Sequence, residues 1–268
     1  MKIFFLDAKT IGDDIDLSGF DRLGEVVKYP FSTSEEARER TKDADVVVLN
    51  KVEINEASIG DAQNLKLVCV TATGTNNLDK EYLAKKNIAW RNVAGYSTET
   101  VAQHTFAMLF YLLEKLRYYD DYVKTEKYVG DTTFTHFANV FHELCGMTWG
   151  IIGLGNIGHK VADIAKAFGC RVIYYSTSGK NNNADYERVS FEELLAQSDV
   201  VSVHAPLDEN TRGLMNAEAF DKHLQNLKAL AEKKVSSYVL LDLEREERTL
   251  EQMEALLDQK IRANDVLG

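Results

Sequence analysis

The chain has 268 residues, which predicts two domains because a single domain commonly holds about 100 to 200 residues. Hydrophobic residues make up 45% and charged residues 27%, which is typical of a folded water-soluble protein and not of a disordered or membrane-spanning chain. The formal net charge of −11 argues against a nucleic acid or an anionic membrane as partner, since both need a local excess of Lys and Arg.

Short apolar runs alternate with amphipathic stretches from the first residue onward. We predict strands at residues 2–7, 25–29, 44–50, 66–73 and 88–93. Strands of this kind are apolar on both faces, and the segments between them are long enough for crossover helices. The order therefore predicts a parallel sheet covered by helices, which is an α/β fold.

A long helix is predicted after Ser97, whose side chain is able to cap it, with Glu99 near the positive end of its dipole. Apolar residues recur at helical spacing from Phe106 to Leu116, so we expect a core helix that leads into the second domain. The run at 106–113 is far shorter than the roughly 20 residues that a bilayer span needs. Residues 117–147 show no clear period, and we predict a surface or subunit-contact segment there and a homodimer.

Three cysteines, Cys69, Cys145 and Cys170, are odd in number and lack the spacing of metal ligands. We therefore expect reduced thiols in a reducing compartment and no metal site. The first residues, MKIFFLDAKT, hold too short an apolar run for a secretory signal, whose apolar region spans about 7 to 15 residues. These features predict a cytoplasmic protein.

A second alternating series begins at TWGIIG, residues 148–153. It continues through a helix at 156–168, the strand RVIYY, a helix from Ser190, the strand DVVSVHAP, a helix from Asn216, the strand SSYVLLDL, a helix from Thr249 and the strand IRANDVL. Two helix starts carry the spacing of a capping box, Ser190 with Glu193 and Thr249 with Gln252.

The glycine pattern of this series predicts a dinucleotide site. Gly153, Gly155 and Gly158 follow a strand and open a helix, with Asn156 and Ile157 between the last two. Gly153 turns the chain, Gly155 lets the backbone approach a pyrophosphate, and Gly158 allows close packing of helix on strand. The alternative is a tight turn without a ligand, which the flanking strand and helix make the weaker interpretation.

The end of the strand RVIYY bears on the choice between NAD and NADP. An Asp or Glu on the ribose hydroxyls would favour NAD, but this position reads Ser176, Thr177, Ser178, Gly179 and Lys180. Ser176, Thr177 and Lys180 would suit a phosphate, or they form a polar loop beside a partly solvated adenosine. NAD is favoured slightly, and NADP stays possible.

Four longer motifs occur in order along the chain: TATGTNNLD (71–79), NVAGYSTETVAQHTFAML (92–109), GIIGLGNIGHKVADIAKAFGCRVIYYSTS (150–178) and SDVVSVHAPLDENTRGLMN (198–216). Together they resemble the NAD-dependent D-2-hydroxyacid dehydrogenases. The resemblance covers most of residues 1–216. It implies a flavodoxin-like substrate domain at 1–97 and a Rossmann NAD-binding domain at 98–268, with the active site in the cleft between them. It also implies a small 2-hydroxy or 2-oxo acid as substrate.

The resemblance implies roles for individual residues. The backbone at Thr73 and Gly74 would receive the substrate carboxylate, and Tyr96 would lean on the substrate; the alternatives are a strand-end turn and an aromatic plug at the hinge. His204, Ala205 and Pro206 match a loop that lies along the cofactor, and Thr211 matches a residue close to it. A His-Ala-Pro sequence at the carboxyl end of a strand also lies where open α/β sheets bind ligands.

The chain departs from the family after residue 216. In the stretch LLDLEREE at 240–247, Arg245 aligns with the family arginine that binds the substrate carboxylate, and Glu246 aligns with a glycine of the family. A solvated helix start is an equally good interpretation of this stretch. Asp265 matches an aspartate that resembles a partner of the nicotinamide carboxamide. The acid/base glutamate and histidine of the family have no counterpart in the printed sequence, and His104 is more simply a helix-packing residue than a replacement.

Two interpretations stay open. One is an oxidoreductase of the D-2-hydroxyacid dehydrogenase type whose activity is impaired in this chain. The other is a non-catalytic protein on the same fold that binds or senses a dinucleotide.

Overall fold

The computed structural model of the protein describes residues 1–133, 135, 136, 138, 139 and 141–233. They divide into two compact units, Met1–Glu99 with Pro206–Glu209, and Thr100–Ala205 with the described residues from Asn210 onward. The strands predicted at SSYVLLDL and IRANDVL, the helix predicted from Thr249, and the site candidates Arg245 and Asp265 lie outside the described residues. Among the described residues, no helix has the length and apolar character needed to cross a membrane.

The first unit is built on a five-stranded parallel sheet, as the alternating runs predict. Its strands are β1 (Lys2–Phe5), β2 (Glu25–Lys28), β3 (Val46–Leu49), β4 (Leu67–Val70) and β5 (Ala89–Asn92). They lie in the order β2-β1-β3-β4-β5, and every neighbouring pair is parallel. This is the flavodoxin-like order, in which the sheet grows in both directions from its first strand.

The crossover helices of this unit begin at polar caps. They are α1 (Ser34–Arg40), α2 (Glu56–Ile59) and α3 (Lys80–Lys85). Thr33 and Asn55 form capping boxes, and the Asp79 carboxylate accepts the N–H of the third residue of α3, so each helix start satisfies backbone donors that would otherwise be free. Buried side chains of β3 and β4, such as Val47 and Val68, form the core with the helices.

The described residues of the second unit hold a four-stranded parallel sheet, β6 (Thr148–Ile152), β7 (Arg171–Tyr175), β8 (Glu187–Arg188) and β9 (Val200–Val203). The order is β8-β7-β6-β9, and all neighbours are parallel. The α/β prediction is confirmed. The sequence does not predict β8, because its two exposed charged residues form no apolar run.

Between Thr98 and Lys233 the structure describes five α-helices, α4 (Thr98–Leu113), α5 (Leu116–Lys124), α6 (Asn156–Ala167), α7 (Phe191–Gln197) and α8 (Ala217–Lys233). The capping box of Ser190 with Glu193 is confirmed at α7. Asn216 Oδ1 accepts the N–H of Ala219 at 2.9 Å, which confirms the predicted start of α8.

The prediction of one helix through Leu116 is wrong. Lys115 has a φ of +51°, in the left-handed region, and this conformation separates α4 from α5. The core-helix prediction holds for one face of α4 only. On that face, the ring centroids of Phe106 and Trp149 are 4.8 Å apart. On the other face, Met108 and Leu112 are 53% and 67% exposed. Helix α5 itself was not predicted, because its residues are mainly polar and aromatic.

Candidate cofactor-binding site

Two glycines fix the path of the loop after β6. Gly153 has a φ of +92°, and a Cβ on it would lie 2.8 Å from the backbone nitrogen of Ala205. A Cβ on Gly158 would collide with the carbonyl oxygen of Gly153. Only glycine fits these positions, because the first needs a left-handed conformation and the second brings α6 against the loop.

Gly155 differs from both. It is the N-cap of α6 with a φ of −84°, and a Cβ added to it would meet no atom within 4 Å. No side chain of the described residues caps this helix, so the free backbone N–H groups of its first turn receive no side-chain acceptor. An uncapped helix N-terminus beside an open glycine suits an anion, and these residues therefore fit a pyrophosphate. Asn156 is exposed at this end, while Ile157 is half-buried.

The strand β9 ends beside the glycine loop. The backbone N–H of His204 donates to the carbonyl of Ile152 at 2.8 Å, and Ala205 approaches Gly153. The His204 Nε2 atom is buried and has no hydrogen-bond partner among the described residues. Burial also lowers the pKa of His204, so the imidazole is neutral near pH 7. The ring thus offers one unsatisfied polar atom where β6 and β9 end.

Two further predicted residues follow His204 and Ala205. Pro206 is exposed, and Thr211 is half-buried. The carbonyl of Thr211 accepts the N–H of Leu214 at 3.1 Å, which closes a turn ahead of α8.

The loop at residues 176–181 follows β7 and contacts the glycine loop. Ser176 is buried, its carbonyl accepts the N–H of Gly179 at 3.1 Å, and its hydroxyl accepts the N–H of Asn181 at 3.3 Å. The Asn181 side-chain amide donates to the carbonyl of Leu154, between the first two glycines of the pattern. Thr177 is half-buried. The predicted residues of both loops therefore lie at the carboxyl ends of neighbouring strands.

The predicted substrate-side residues lie in the first unit. Thr73 follows β4, and its hydroxyl donates to the carbonyl of Val93 at 3.2 Å. The Asn92 side chain donates to the carbonyl of Thr73 at 2.8 Å, which fixes this loop to the end of β5. Gly74 is exposed, and Tyr96 is 63% exposed. All three predicted residues thus follow the carboxyl ends of β4 and β5, where parallel sheets present their ligand-binding loops.

Three further features of the second unit bear on the candidate site: two residues that the sequence did not indicate, the position of His104, and the order of the strands. Sequence reasoning did not single out Asn181 or Arg188, because their contacts join residues distant in the chain and β8 carries no apolar signal. His104 is exposed on α4. In the second unit the strand order reverses between β6 and β9, the place where open α/β sheets bind nucleotides.

A parallel sheet with a glycine loop opening onto an uncapped helix defines a dinucleotide-binding domain of the Rossmann class. Residues 106–227 match the family model described as "D-isomer specific 2-hydroxyacid dehydrogenase, NAD binding domain". A hydroxypyruvate reductase of Blautia hydrogenotrophica is 33% identical over 230 residues, which cover 83% of this chain and 71% of that protein. The chain belongs to the D-2-hydroxyacid dehydrogenase family, and its second unit carries the family's NAD-binding domain.

Solved structures agree with this assignment. An acyclic imino acid reductase in complex with NADPH and D-Arg has a TM-score of 0.73 at 26% identity, covering 83% of this chain and 71% of that one. The D-lactate dehydrogenase of Aquifex aeolicus, complexed with NAD and lactic acid, has a TM-score of 0.71 at 26% identity, covering 83% of this chain and 66% of that one. The predicted family and fold class are confirmed.

Proposed function

We propose that the protein is a nicotinamide-dependent oxidoreductase that interconverts a small 2-hydroxy acid and the corresponding 2-oxo acid. The observation that carries this proposal is the open space at Gly155 beside the uncapped start of α6. Such a cradle has room for a pyrophosphate, whose negative charges the helix N-terminus would stabilise. Relatives that act on hydroxypyruvate or hold lactic acid support a 2-oxo acid as the substrate class.

The proposed roles of the chain's residues follow from their places. When bound, the nicotinamide cofactor supplies or accepts the hydride. The backbone of residues 153–158 binds the pyrophosphate, and His204 and its neighbours Ala205, Pro206 and Thr211 line the rest of the cofactor. In the first unit, Thr73 and Gly74 bind the substrate carboxylate through their backbone, and Tyr96 contacts the substrate. We assign residues 1–97 to the substrate domain and 98–268 to the cofactor-binding domain.

We further propose that this 268-residue chain, assayed alone, turns over slowly. Reduction of a 2-oxo acid needs a proton at the carbonyl oxygen, and a histidine held near neutral pKa suits that task. Burial lowers the pKa of His204, which disfavours the protonated imidazole that would donate this proton. His104, the other family-motif histidine, lies exposed on α4. Positioning of the reactants alone still gives a measurable rate.

The protein is proposed to act as a cytoplasmic homodimer. Met108 and Leu112 are four residues apart on α4, so they share one helix face, and both are largely exposed. An exposed apolar face of this kind commonly marks a protein contact. Three unpaired cysteines agree with a reducing compartment.

Calorimetric titration with NADH and NADPH, followed by turnover assays on pyruvate, glyoxylate and hydroxypyruvate, tests the proposed function. We expect cofactor binding and slow, saturable reduction of at least one acid. Binding without any turnover would favour the alternative of a dinucleotide-binding or sensing protein. Failure to bind either dinucleotide would overturn the proposal.

A further inference from the structure

The 176–181 loop carries positive charge and no carboxylate. From Ser176 to Ala184 the sequence reads STSGKNNNA, in a chain where Asp and Glu outnumber Lys and Arg by 42 to 31. Ser176 directly follows the last residue of β7, where an acid would accept the ribose hydroxyls of NAD. A ribose 2′-phosphate instead needs cationic and hydroxyl side chains at this place. The local composition thus departs from the charge of the whole chain in the direction that an anion requires.

Arg188 extends this positive region from the neighbouring strand. It ends β8, and its Nη1 donates to the carbonyl of Asn181 at 3.4 Å. Its Nη2 lies 3.9 Å from the position that a Cβ on Gly179 would take, so the guanidinium is close to the turn of the loop. Arginine is well suited to this role because its planar group presents paired donors to phosphate oxygens.

Neither Arg188 nor Lys180 forms an ion pair with any residue that the structure describes. Arg171, at the opposite end of β7, does form one: its Nη2 lies 2.7 Å from Glu187 Oε2. A bound anion would supply the opposite charge that these two cations do not receive from an ion pair with a described residue. The arrangement therefore favours a ligand with a negative charge at this point.

The loop also has a fixed shape. Gly179 takes a φ of +68°, and the N–H of this residue closes the turn onto the Ser176 carbonyl. The Asn181 side chain holds the other end of the loop on Leu154 in the glycine loop. The hydroxyls of Thr177 and Ser178 lie within this turn, half-buried and exposed respectively. Donors held in place before binding lose less entropy when a ligand arrives.

We propose that the 176–181 loop and Arg188 bind a phosphate on the 2′ carbon of the adenosine ribose, so that the chain prefers NADPH to NADH. This inference rests on the proposed function, since it needs a dinucleotide whose pyrophosphate lies on the glycine loop. It assigns cofactor choice to Lys180 and Arg188, with hydroxyl contacts from Thr177 and Ser178.

Isothermal titration calorimetry on the full chain tests the inference, with NADPH, NADH, 2′,5′-ADP and 5′-AMP as probes. We expect NADPH to bind more tightly than NADH, and 2′,5′-ADP more tightly than 5′-AMP. Arg188→Ala and Lys180→Ala should each weaken NADPH and 2′,5′-ADP by about 10- to 100-fold, the loss of one charge-assisted hydrogen bond. NADH and 5′-AMP should be unaffected by either change.

Arg171→Ala is the matched control, because it removes a positive charge from the other end of β7. It should leave all four affinities unchanged. Arg188→Lys should recover part of the NADPH affinity. Ser176→Asp should reverse the preference toward NADH, and thermal melts of each variant will check that the fold survives.

The outcomes separate the two proposals. If NADPH and NADH both bind but NADH binds as tightly or more tightly, the further inference is wrong and the proposed function stands. The inference is also wrong if Arg188→Ala and Lys180→Ala weaken both dinucleotides equally or weaken neither. Absence of binding by either dinucleotide would overturn the proposed function, and the inference with it.

Discussion

The backbone N–H of His204 donates to the carbonyl of Ile152 at 2.8 Å, and this bond joins the residue that follows β9 to the last residue of β6. It brings Ala205 to Gly153, where only a glycine leaves enough room. The glycine loop is therefore shaped partly by the chain that follows β9. Binding and folding make different demands on the glycines of this loop, and substitutions can separate them.

Gly155→Val should abolish dinucleotide binding without unfolding the protein. The added side chain meets no atom of the described protein within 4 Å, so it would occupy the space proposed for the pyrophosphate. We expect affinity to fall on the order of 100-fold or more, equivalent to two lost hydrogen bonds to a charged group. Calorimetry measures the affinity and a thermal melt measures the stability. Equal cofactor affinity in parent and variant would mean that the site lies elsewhere.

Gly153→Ala is the contrasting change, and it should destabilise the fold itself. The alanine would need a left-handed conformation and would press on the Ala205 backbone. A strained conformation of this type costs about 1 to 3 kcal/mol of unfolding free energy. Urea denaturation measures the loss. Gly19→Val, at an open position in the first unit, is the control and should change neither stability nor affinity.

The stability of the second unit should fall as the pH falls below about 6.5, the ordinary pKa of histidine. Burial lowers the pKa of His204 and of His223, so both stay neutral in the folded chain at pH values where the unfolded chain takes up protons. The unfolded state then binds more protons, and the unfolding free energy decreases with falling pH, by up to about 1.4 kcal/mol per pH unit for each group.

Urea denaturation between pH 8 and pH 5 measures how the unfolding free energy depends on pH. This range extends about one to two units on either side of the ordinary histidine pKa. His204→Gln and His223→Gln should each make the dependence shallower than in the parent. His104→Gln alters an imidazole that is exposed in the folded chain and should have no such effect. An unchanged slope in both test variants would contradict the argument.

The unmodified chain should reduce 2-oxo acids very slowly even when saturated with cofactor. Loss of a positioned acid costs about 10²- to 10⁴-fold in rate. Burial lowers the pKa of His204, which disfavours the protonated form that this role needs. Steady-state assays of D-lactate oxidation and pyruvate reduction measure the rate. Fast turnover that disappears in His104→Gln would identify His104 as the acid and contradict this prediction.

Charge on the exposed face of α4 should break the proposed dimer. Leu112→Asp places a carboxylate where a partner would bury an apolar side chain, and the unpaired charge disfavours association. Sedimentation equilibrium should show a dimer for the parent and a monomer for the variant. Leu23→Asp, at a leucine that is 57% exposed in the first unit, should leave the mass unchanged. A monomeric parent would rule the dimer out.

Local sequence patterns predicted the elements whose burial is continuous. The strands β1, β3, β4 and β6 are apolar runs because apolar side chains pack against both faces of their sheets, and such runs are visible without a structure. The break at Lys115 was missed, because a change in backbone conformation leaves the apolar spacing around it almost intact.

The candidate site, like the fold, could be predicted from the sequence only where its residues form a local pattern. The glycines form a compact motif, so their proposed role can be predicted from spacing alone. The hydrogen bond from Asn181 to Leu154 joins residues 27 positions apart, and Arg188 reaches the loop from a strand of two residues. Contacts of this kind depend on the order of strands in the sheet and have no local signature.

The bond between Asn181 and Leu154 has a practical meaning for anyone who wishes to re-engineer coenzyme choice. It joins the loop proposed to hold the adenosine to the loop proposed to hold the pyrophosphate, so a change of residues 176–180 will be transmitted to the glycine loop. Substitutions in the two loops should therefore be non-additive, as contacting residues usually are. The unit to exchange between homologous enzymes is the whole segment with its asparagine, and not the charged residue by itself.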